Sequence, residues 1–140
     1  MPSGEVWTGE DEREAQVREM RGNGSWEKPK IVCLCGSTRF KAAFDEVNYQ
    51  ETMAGRVVLS VGFYMHATGN KHGESVGATD KQKLALDVLH KKKIDLCDEV
   101  LVLNVGGYIG DSTRSEVRYA KLMRRPIRWL EPDKIPADCS

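Results

Sequence analysis

The chain has 140 residues, which is enough for one domain with a substantial buried core. Its 21 basic and 21 acidic residues leave no net charge, which argues against a partner such as a nucleic acid polymer. The sequence shows no apolar run of membrane length, and its polar start does not read as a signal peptide. We therefore expect a cytoplasmic protein that makes no membrane contact.

The first 28 residues differ in composition from the rest of the chain. They hold seven acidic and four basic residues, and a short helix is predicted over Glu10–Arg21. Pro29 closes this segment. We interpret residues 1–28 as a mobile extension and residues 29–140 as the folded domain.

Strands and helices are predicted to alternate through this domain. In chain order they are strand Lys30–Cys35, helix Thr38–Ala54, strand Arg56–Val61, helix Asp80–Cys97, strand Glu99–Asn104, helix Ser112–Arg124 and strand Pro126–Leu130. Gly55 stands where a glycine commonly ends a helix. In the second core helix, Leu84, Val88 and Ile94 are predicted to face the core.

This alternation predicts an α/β fold. Apolar strands between helices indicate a parallel sheet covered on both faces, and right-handed crossovers give the strand order 2-1-3-4. The result is a flavodoxin-like or Rossmann-like domain of three layers. Ligands of such sheets bind where the strand order reverses, here beside the carboxyl ends of the first and third strands. Gly36-Ser37 and the loop 106–116 follow those two ends.

The glycine-rich loop after the third strand is the most informative segment. It reads Gly-Gly-Tyr-Ile-Gly-Asp-Ser-Thr-Arg-Ser-Glu over residues 106–116. The glycines allow a phosphate or sugar to approach the backbone, and Asp111 and Ser112 are expected to cap a helix whose free amides favour anions. Glu116 is expected in the first turn, where the helix field favours its ionised form. The pattern predicts a carboxylate nucleophile.

Two further features bear on binding. The segment Gly62–Thr79 is long for a connection between a strand and a helix and is predicted to be either a functional lid or a mobile loop. Its Tyr64 is suited to stacking on a flat base. Cys33 and Cys35 face the same side of a strand. Because the four cysteines lack zinc-like spacing, we expect buried thiols with no metal, and no cofactor is implied.

Three motifs together resemble a known family. They are Cys35-Gly36-Ser37-Thr38-Arg39, Asp98-Glu99-Val100-Leu101-Val102, and Ser115-Glu116-Val117-Arg118-Tyr119-Ala120 ahead of Pro126-Ile127. Over about residues 30–132 the chain resembles the nucleoside 2-deoxyribosyltransferase superfamily, nearest its deoxynucleoside 5′-monophosphate N-glycosidase branch. The resemblance implies that Glu116 attacks the anomeric carbon of a nucleoside or nucleotide, and that water or a second base resolves the glycosyl-enzyme. It also implies a homodimer or a higher homo-oligomer.

The resemblance assigns binding residues to the loop after the first strand. Gly36 and Ser37 would hold sugar or phosphate oxygens. Arg39 would bind a 5′-phosphate through its guanidinium, or else be a solvated helix side chain.

The loop after the third strand supplies the other candidates. Gly110, Ser112 and Thr113 would contact phosphate or hydroxyl groups, although capping alone also explains the two hydroxyls. Asn104 would either bind the ligand or pair with loop backbone.

One position departs from the family. Where members commonly carry an aspartate, eight residues before Asp98, this chain has His90, with Asp87 one turn earlier. Histidine can act as an acid near neutral pH, or it can be a surface residue beside the run Lys91-Lys92-Lys93. The departure leaves the leaving-group acid and the sugar specificity open.

Three alternatives remain for the function. A phosphoribohydrolase of the cytokinin-activating type shares the Cys-Gly-Ser start, but its usual Pro-Gly-Gly-x-Gly-Thr loop is absent here. A non-catalytic nucleotide-binding or sensor module would use the same crevice. A flavodoxin-like electron carrier is disfavoured, because the loops lack a hydroxyl-rich phosphate nest.

Overall fold

The computed structural model describes residues 11–62 and 80–140. Along these residues run the elements α1 (Glu12–Gly22), β1 (Ile31–Cys35), α2 (Lys41–Met53), β2 (Val57–Leu59), α3 (Asp80–Leu96), β3 (Glu99–Val102), α4 (Asp111–Leu122) and β4 (Ile127–Trp129). Short 3-10 turns span Val105–Gly107, Pro132–Lys134 and Ala137–Cys139. The predicted elements are therefore present, with ends shifted by up to three residues.

The four strands form one parallel sheet in the order β2-β1-β3-β4, which confirms the predicted topology. Cys35 at the end of β1 lies opposite Val102 at the end of β3. Just beyond, the backbone N–H of Leu103 donates to the carbonyl oxygen of Cys35 at 2.8 Å. The two loops that follow β1 and β3 therefore leave the sheet side by side.

Helices cover both faces of this sheet, so the fold has three layers and is flavodoxin-like, as predicted. Because side chains alternate along a strand, each face has its own apolar cluster. The α2 face buries Val32, Leu34, Phe44, Val47, Leu101 and Leu103. The face of α3 and α4 buries Cys33, Cys35, Ile94, Val100, Val102 and Val117, among others.

Helix α1 stands apart from these clusters. Asp11 caps it by accepting a hydrogen bond from the backbone N–H of Glu14 at 3.0 Å, and the helix has no buried residue. Its sequence is too polar to bury an apolar stripe against the sheet. The boundary between residues 28 and 29, and the mobility of the extension, stay predictions.

The face that α3 turns inward differs from the predicted one. Ile94 is buried as expected, but Leu84 and Val88 are 63% and 42% exposed, so their predicted core positions are wrong. His90 is buried instead. The physical reason is that the inward face of α3 carries His90 and Ile94, while Leu84 and Val88 belong neither to that buried face nor to the residues of α3 that line the neighbouring cavity.

Candidate active site

A cavity of about 620 Å³ opens at the carboxyl ends of the strands, at the predicted switch point. Its walls are the loop 36–39 after β1, residues 61–62 after β2, one face of α3, and the start of α4 with Glu116. This volume is in the range of pockets that bind small organic ligands. The two loops singled out in the sequence thus meet at one site.

The loop after β1 is shaped by one glycine and one hydroxyl. A side chain at Gly36 would lie 3.1 Å from the Cβ of Leu103, so glycine lets this loop pack on the end of β3. The Ser37 hydroxyl accepts hydrogen bonds from the backbone N–H of Arg39 at 3.4 Å and from its Nε at 3.1 Å. This turn delays the start of α2 from the predicted Thr38 to Lys41.

Arg39 lies at the rim of the cavity. Its guanidinium carbon is 4.4 Å from the centre of the Tyr108 ring, and the Tyr108 ring in turn meets Phe40 edge to face at 5.9 Å. Among the described residues, Arg39 has no carboxylate partner. Stacking and the Ser37 hydrogen bond therefore hold a cation at the rim, with no carboxylate of residues 11–62 and 80–140 to compensate its charge.

The glycine pair of the loop after β3 does not contact the cavity. Gly106 and Gly107 adopt positive φ angles of 63° and 84°, and the Gly106 N–H donates to a carboxylate oxygen of Glu131 at 2.6 Å. Lys134 lies 3.4 Å from where a Gly107 side chain would begin. The pair therefore shapes a turn against the C-terminal segment. In this loop the glycine that lines the cavity, where a ligand could approach the backbone, is Gly110.

Asn104 belongs to this same turn. Its Nδ2 donates to the carbonyl oxygens of Glu131 at 3.0 Å and Lys134 at 3.2 Å, and its Oδ1 accepts from the Glu131 N–H at 2.9 Å. The residue is fully buried and does not line the cavity. Of its two predicted roles, the structure supports pairing with loop backbone, so Asn104 is removed from the candidate binding residues.

The start of α4 also differs from the expectation. Gly110 is the N-cap, and no side chain within the described ranges caps the helix, so the predicted capping by Asp111 and Ser112 is wrong. Gly110, Asp111, Ser112 and Thr113 all line the cavity. The first-turn amides therefore keep their capacity to bind an anion there.

Glu116 is the sixth residue of α4, in its second turn rather than its first. It lines the cavity and is only 8% exposed, and its Oε2 has no hydrogen-bond partner within residues 11–62 and 80–140. Burial raises the pKa of its carboxyl to about 7, against the opposing effects of the His90 charge and a hydrogen bond from Cys35. The expectation that this position favours the ionised form of Glu116 is thus wrong, because burial disfavours the charged carboxylate.

His90 lines the cavity beside Glu116. Its Nε2 is 3.9 Å from the Glu116 Oε2, 3.4 Å from the Cys35 Sγ and 3.8 Å from the Cys33 Sγ. Burial lowers the pKa of His90, but hydrogen bonding to Cys33 and the charge of Glu116 outweigh burial and raise it. The surface alternative for His90 is therefore wrong.

The two thiols beside His90 influence each other. The hydrogen bond from Cys35, followed by the contact with His90, lowers the pKa of Cys33 to about 6 despite burial. That same bond, together with burial, holds the pKa of Cys35 well above its ordinary value. The predicted burial of all four cysteines as free thiols is confirmed.

Sequence reasoning underrated the charged residues of α3. Lys91 donates to the Asp87 carboxylate at 2.6 Å and to the Ser115 hydroxyl at 2.9 Å, which ties α3 to α4. Lys93 donates to the carbonyl oxygen of Ser60 at 2.6 Å. Asp87 and Lys93 line the cavity, so this basic run is not simply a solvated face. The helical spacing from Asp87 to His90 and Lys93 was the available signal.

The predicted lid and the predicted stacking residue Tyr64 cannot be compared with the structure, because residues 63–79 lie outside the described residues. Among the described residues, Tyr108, Leu86 and Leu89 supply apolar cavity surface, and none of the three was singled out from the sequence. Tyr108 could have been found from its place between two glycines of the loop.

Comparison of the sequence with family models and with curated proteins gave no match. Within the described part of the chain, no helix combines the length and apolar character needed to cross a membrane.

Proposed function

We propose that the protein cleaves the N-glycosidic bond of a nucleoside or nucleoside 5′-monophosphate. The observation that carries the proposal is the buried Glu116 carboxylate, which faces the cavity with one oxygen unpaired among the described residues. A poorly solvated carboxylate at the wall of a nucleotide-sized cavity suits attack on an oxocarbenium-like carbon. The resemblance to the nucleoside 2-deoxyribosyltransferase superfamily supports the same assignment.

In the proposed reaction, an oxygen of ionised Glu116 bonds to the anomeric carbon as the bond to the base breaks. The base leaves with the bonding electron pair and takes up a proton. Water then attacks the same carbon, which releases the sugar and returns the carboxylate. We favour water over a second base as the acceptor. Adding free base to the trapped intermediate tests this choice, because a transferase would form a new nucleoside or nucleotide faster than it releases free sugar or sugar phosphate.

His90 acts through Glu116 in this proposal. Its Nε2 faces Glu116 and the two thiols, so a protonated His90 stabilises the negative charge of the nucleophile. This makes His90 a positioning residue, in place of the leaving-group acid considered from the sequence. Asp87 lines the cavity, and we propose that its carboxylate contacts the sugar.

The sugar-phosphate end would lie between Arg39 and the start of α4. Arg39 offers a charge that no carboxylate among the described residues compensates, and the Ser37 hydroxyl lies beside it. Gly110, Ser112 and Thr113 offer amides and hydroxyls at the start of α4. Cations and helix N-termini are the usual protein partners of phosphate. A 5′-monophosphate is therefore the favoured substrate form.

Replacing Arg39 by alanine should lower kcat/KM for nucleotides far more than kcat/KM for nucleosides. Loss of a charge-assisted contact costs about 1.5–3 kcal/mol, so kcat/KM for 5′-monophosphates should fall roughly tenfold to a hundredfold. The matched control is Arg118→Ala, because Arg118 is an exposed arginine of α4 outside the cavity. Equal losses on nucleosides and nucleotides would refute phosphate recognition by Arg39.

The test of the activity itself is a product analysis. The protein is incubated with a mixed pool of ribo- and deoxyribonucleosides and their 5′-monophosphates, and the products are identified by mass spectrometry. We expect free base with the matching sugar or sugar phosphate. Nucleotide that is bound and recovered intact would instead indicate a sensor, and cleavage confined to ribonucleotides would favour the phosphoribohydrolase alternative.

We also propose that the protein forms a homodimer. The described part of α3 leaves Leu84, Val88 and Leu96 between 42% and 67% exposed, which is apolar surface that a second copy can cover. Light scattering of the purified chain measures the oligomeric state.

A further inference from the structure

The side chains beneath the cavity have the composition of a metal site. Cys33 and Cys35 project from the same side of β1, and α3 brings His90 over them. The two sulfurs and one His90 nitrogen all lie within 4.8 Å of one another, and the three residues are buried. Two cysteines and one histidine are a common ligand set for zinc.

The distances already approach those of a zinc complex. Tetrahedral zinc holds sulfur at about 2.3 Å and nitrogen at about 2.0–2.1 Å, which separates a sulfur from a nitrogen ligand by about 3.5 Å. The His90 Nε2 lies 3.4 Å from the Cys35 Sγ and 3.8 Å from the Cys33 Sγ. The His90 ring and the two thiols thus need only small movements to take up an ion, whereas the Glu116 carboxylate has to move closer to the sulfurs to complete the site.

A candidate for the fourth ligand stands beside His90 on the cavity side, outside the set of three ligand atoms that lie within 4.8 Å of one another. The Glu116 Oε2 is 3.9 Å from the His90 Nε2 and has no hydrogen-bond partner among the described residues. A buried carboxylate oxygen without a partner is costly, and a bound cation would remove that cost.

Another cysteine shows what a purely structural thiol looks like in this fold. Cys97 donates to the carbonyl oxygen of Ile94 at 3.0 Å and stands outside the cluster. Burial alone therefore does not account for the arrangement around His90.

We propose that Cys33, Cys35 and His90 bind one Zn²⁺ ion, with the Glu116 carboxylate as the fourth ligand. Both thiols lose their protons to solvent on binding, and His90 ligates as neutral imidazole through Nε2. Soft thiolate ligands select zinc over magnesium or calcium. The sequence spacing gave no sign of this site, because β1 supplies only two ligands and the others come from α3 and α4.

Zinc binding does not depend on the proposed glycosidase activity. The two are mutually exclusive states of one site, because the metal occupies the lone pairs of Glu116 and His90. If the chain is a glycosidase, stoichiometric zinc should abolish base release, and a chelator should restore it.

The test uses the full, untagged chain, reduced with a phosphine and stripped of metal. Titration with Co²⁺ should give a thiolate-to-cobalt charge-transfer band and the intense visible bands of tetrahedral cobalt, saturating at one ion per chain. Zn²⁺ should displace them. X-ray absorption of the zinc-loaded wild type should find two sulfurs at about 2.3 Å with two lighter ligands, a readout that needs no variant.

Variants then assign the ligands. Cys33→Ala with Cys35→Ala should abolish the charge-transfer band, whereas Cys97→Ala with Cys139→Ala should retain it. Glu116→Gln should keep the band but weaken zinc binding at least about tenfold. Absence of the band in the wild type, a zinc spectrum with only oxygen and nitrogen ligands, or a band that survives the Cys33/Cys35 variant would overturn the proposal. Unchanged affinity in Glu116→Gln would remove the fourth ligand.

Discussion

Replacing Glu116 by glutamine is expected to lower the rate of base release by about 10³-fold or more, as loss of a covalent nucleophile does in other enzymes. Glutamine keeps the shape of the side chain but lacks the anionic oxygen that bonds to the anomeric carbon. The assay measures free base by chromatography with a chelator present, so that bound metal does not contribute. The matched control is Glu46→Gln on the exposed face of α2.

The same substitution separates a catalytic effect from a loss of fold. Burial raises the pKa of Glu116 from 4.5 to about 7, so the folded state binds more protons than the unfolded state across this interval. Stability attributable to this group is therefore lost as the pH rises through that range, by up to about 3 kcal/mol. Glu116→Gln should then melt at the same or a higher temperature than the wild type above pH 7. Near-normal base release by this variant would refute the assignment.

Replacing His90 by glutamine should change the pH dependence of the reaction. The charge of His90 lowers the pKa of Glu116, so its removal should raise that pKa further and leave less ionised nucleophile. Below its pKa, a carboxyl loses about a factor of ten in ionised form for each unit by which its pKa rises, so we expect a loss of kcat/KM that is largest near pH 6 and shrinks towards pH 9. The measurement is the kcat/KM profile against pH.

The control for His90 is its exposed neighbour, in the variant Lys92→Gln, whose profile should match the wild type. A loss of similar size at every pH would contradict the positioning role. If the variant lost only the fall of kcat/KM at alkaline pH, His90 would instead be the acid that protonates the leaving base.

The fold was predictable because its signals are local. Apolar strands alternating with helices, together with the handedness of crossovers, are sufficient for the order β2-β1-β3-β4 and for the position of the cavity. The glycine that ends α2 is another such signal, since Gly55 has the positive φ of 87° expected there.

The features that sequence reasoning missed depend on contacts between distant segments. Asn104 and the glycine pair after it are engaged by Glu131 and Lys134, whose position the local sequence does not reveal. The depth of Glu116 likewise depends on how α3 and α4 pack together, and that packing decides its pKa. In α3, Leu84 and Val88 were expected to face the core, although the inward face carries His90 together with Ile94, and Asp87 and Lys93 line the cavity.

The most direct test of the central claim is to trap the covalent intermediate on Glu116. A nucleoside 5′-monophosphate with fluorine at the sugar 2′ carbon slows both the formation and the hydrolysis of the glycosyl-enzyme, because fluorine destabilises the oxocarbenium-like transition states. A good leaving base makes formation fast again, so the intermediate accumulates. Intact-protein mass spectrometry should show an added sugar phosphate without its base, and tryptic digestion should place it on the peptide Ser115–Arg118. Base release with no adduct on that peptide, or no reaction at all, would contradict the account.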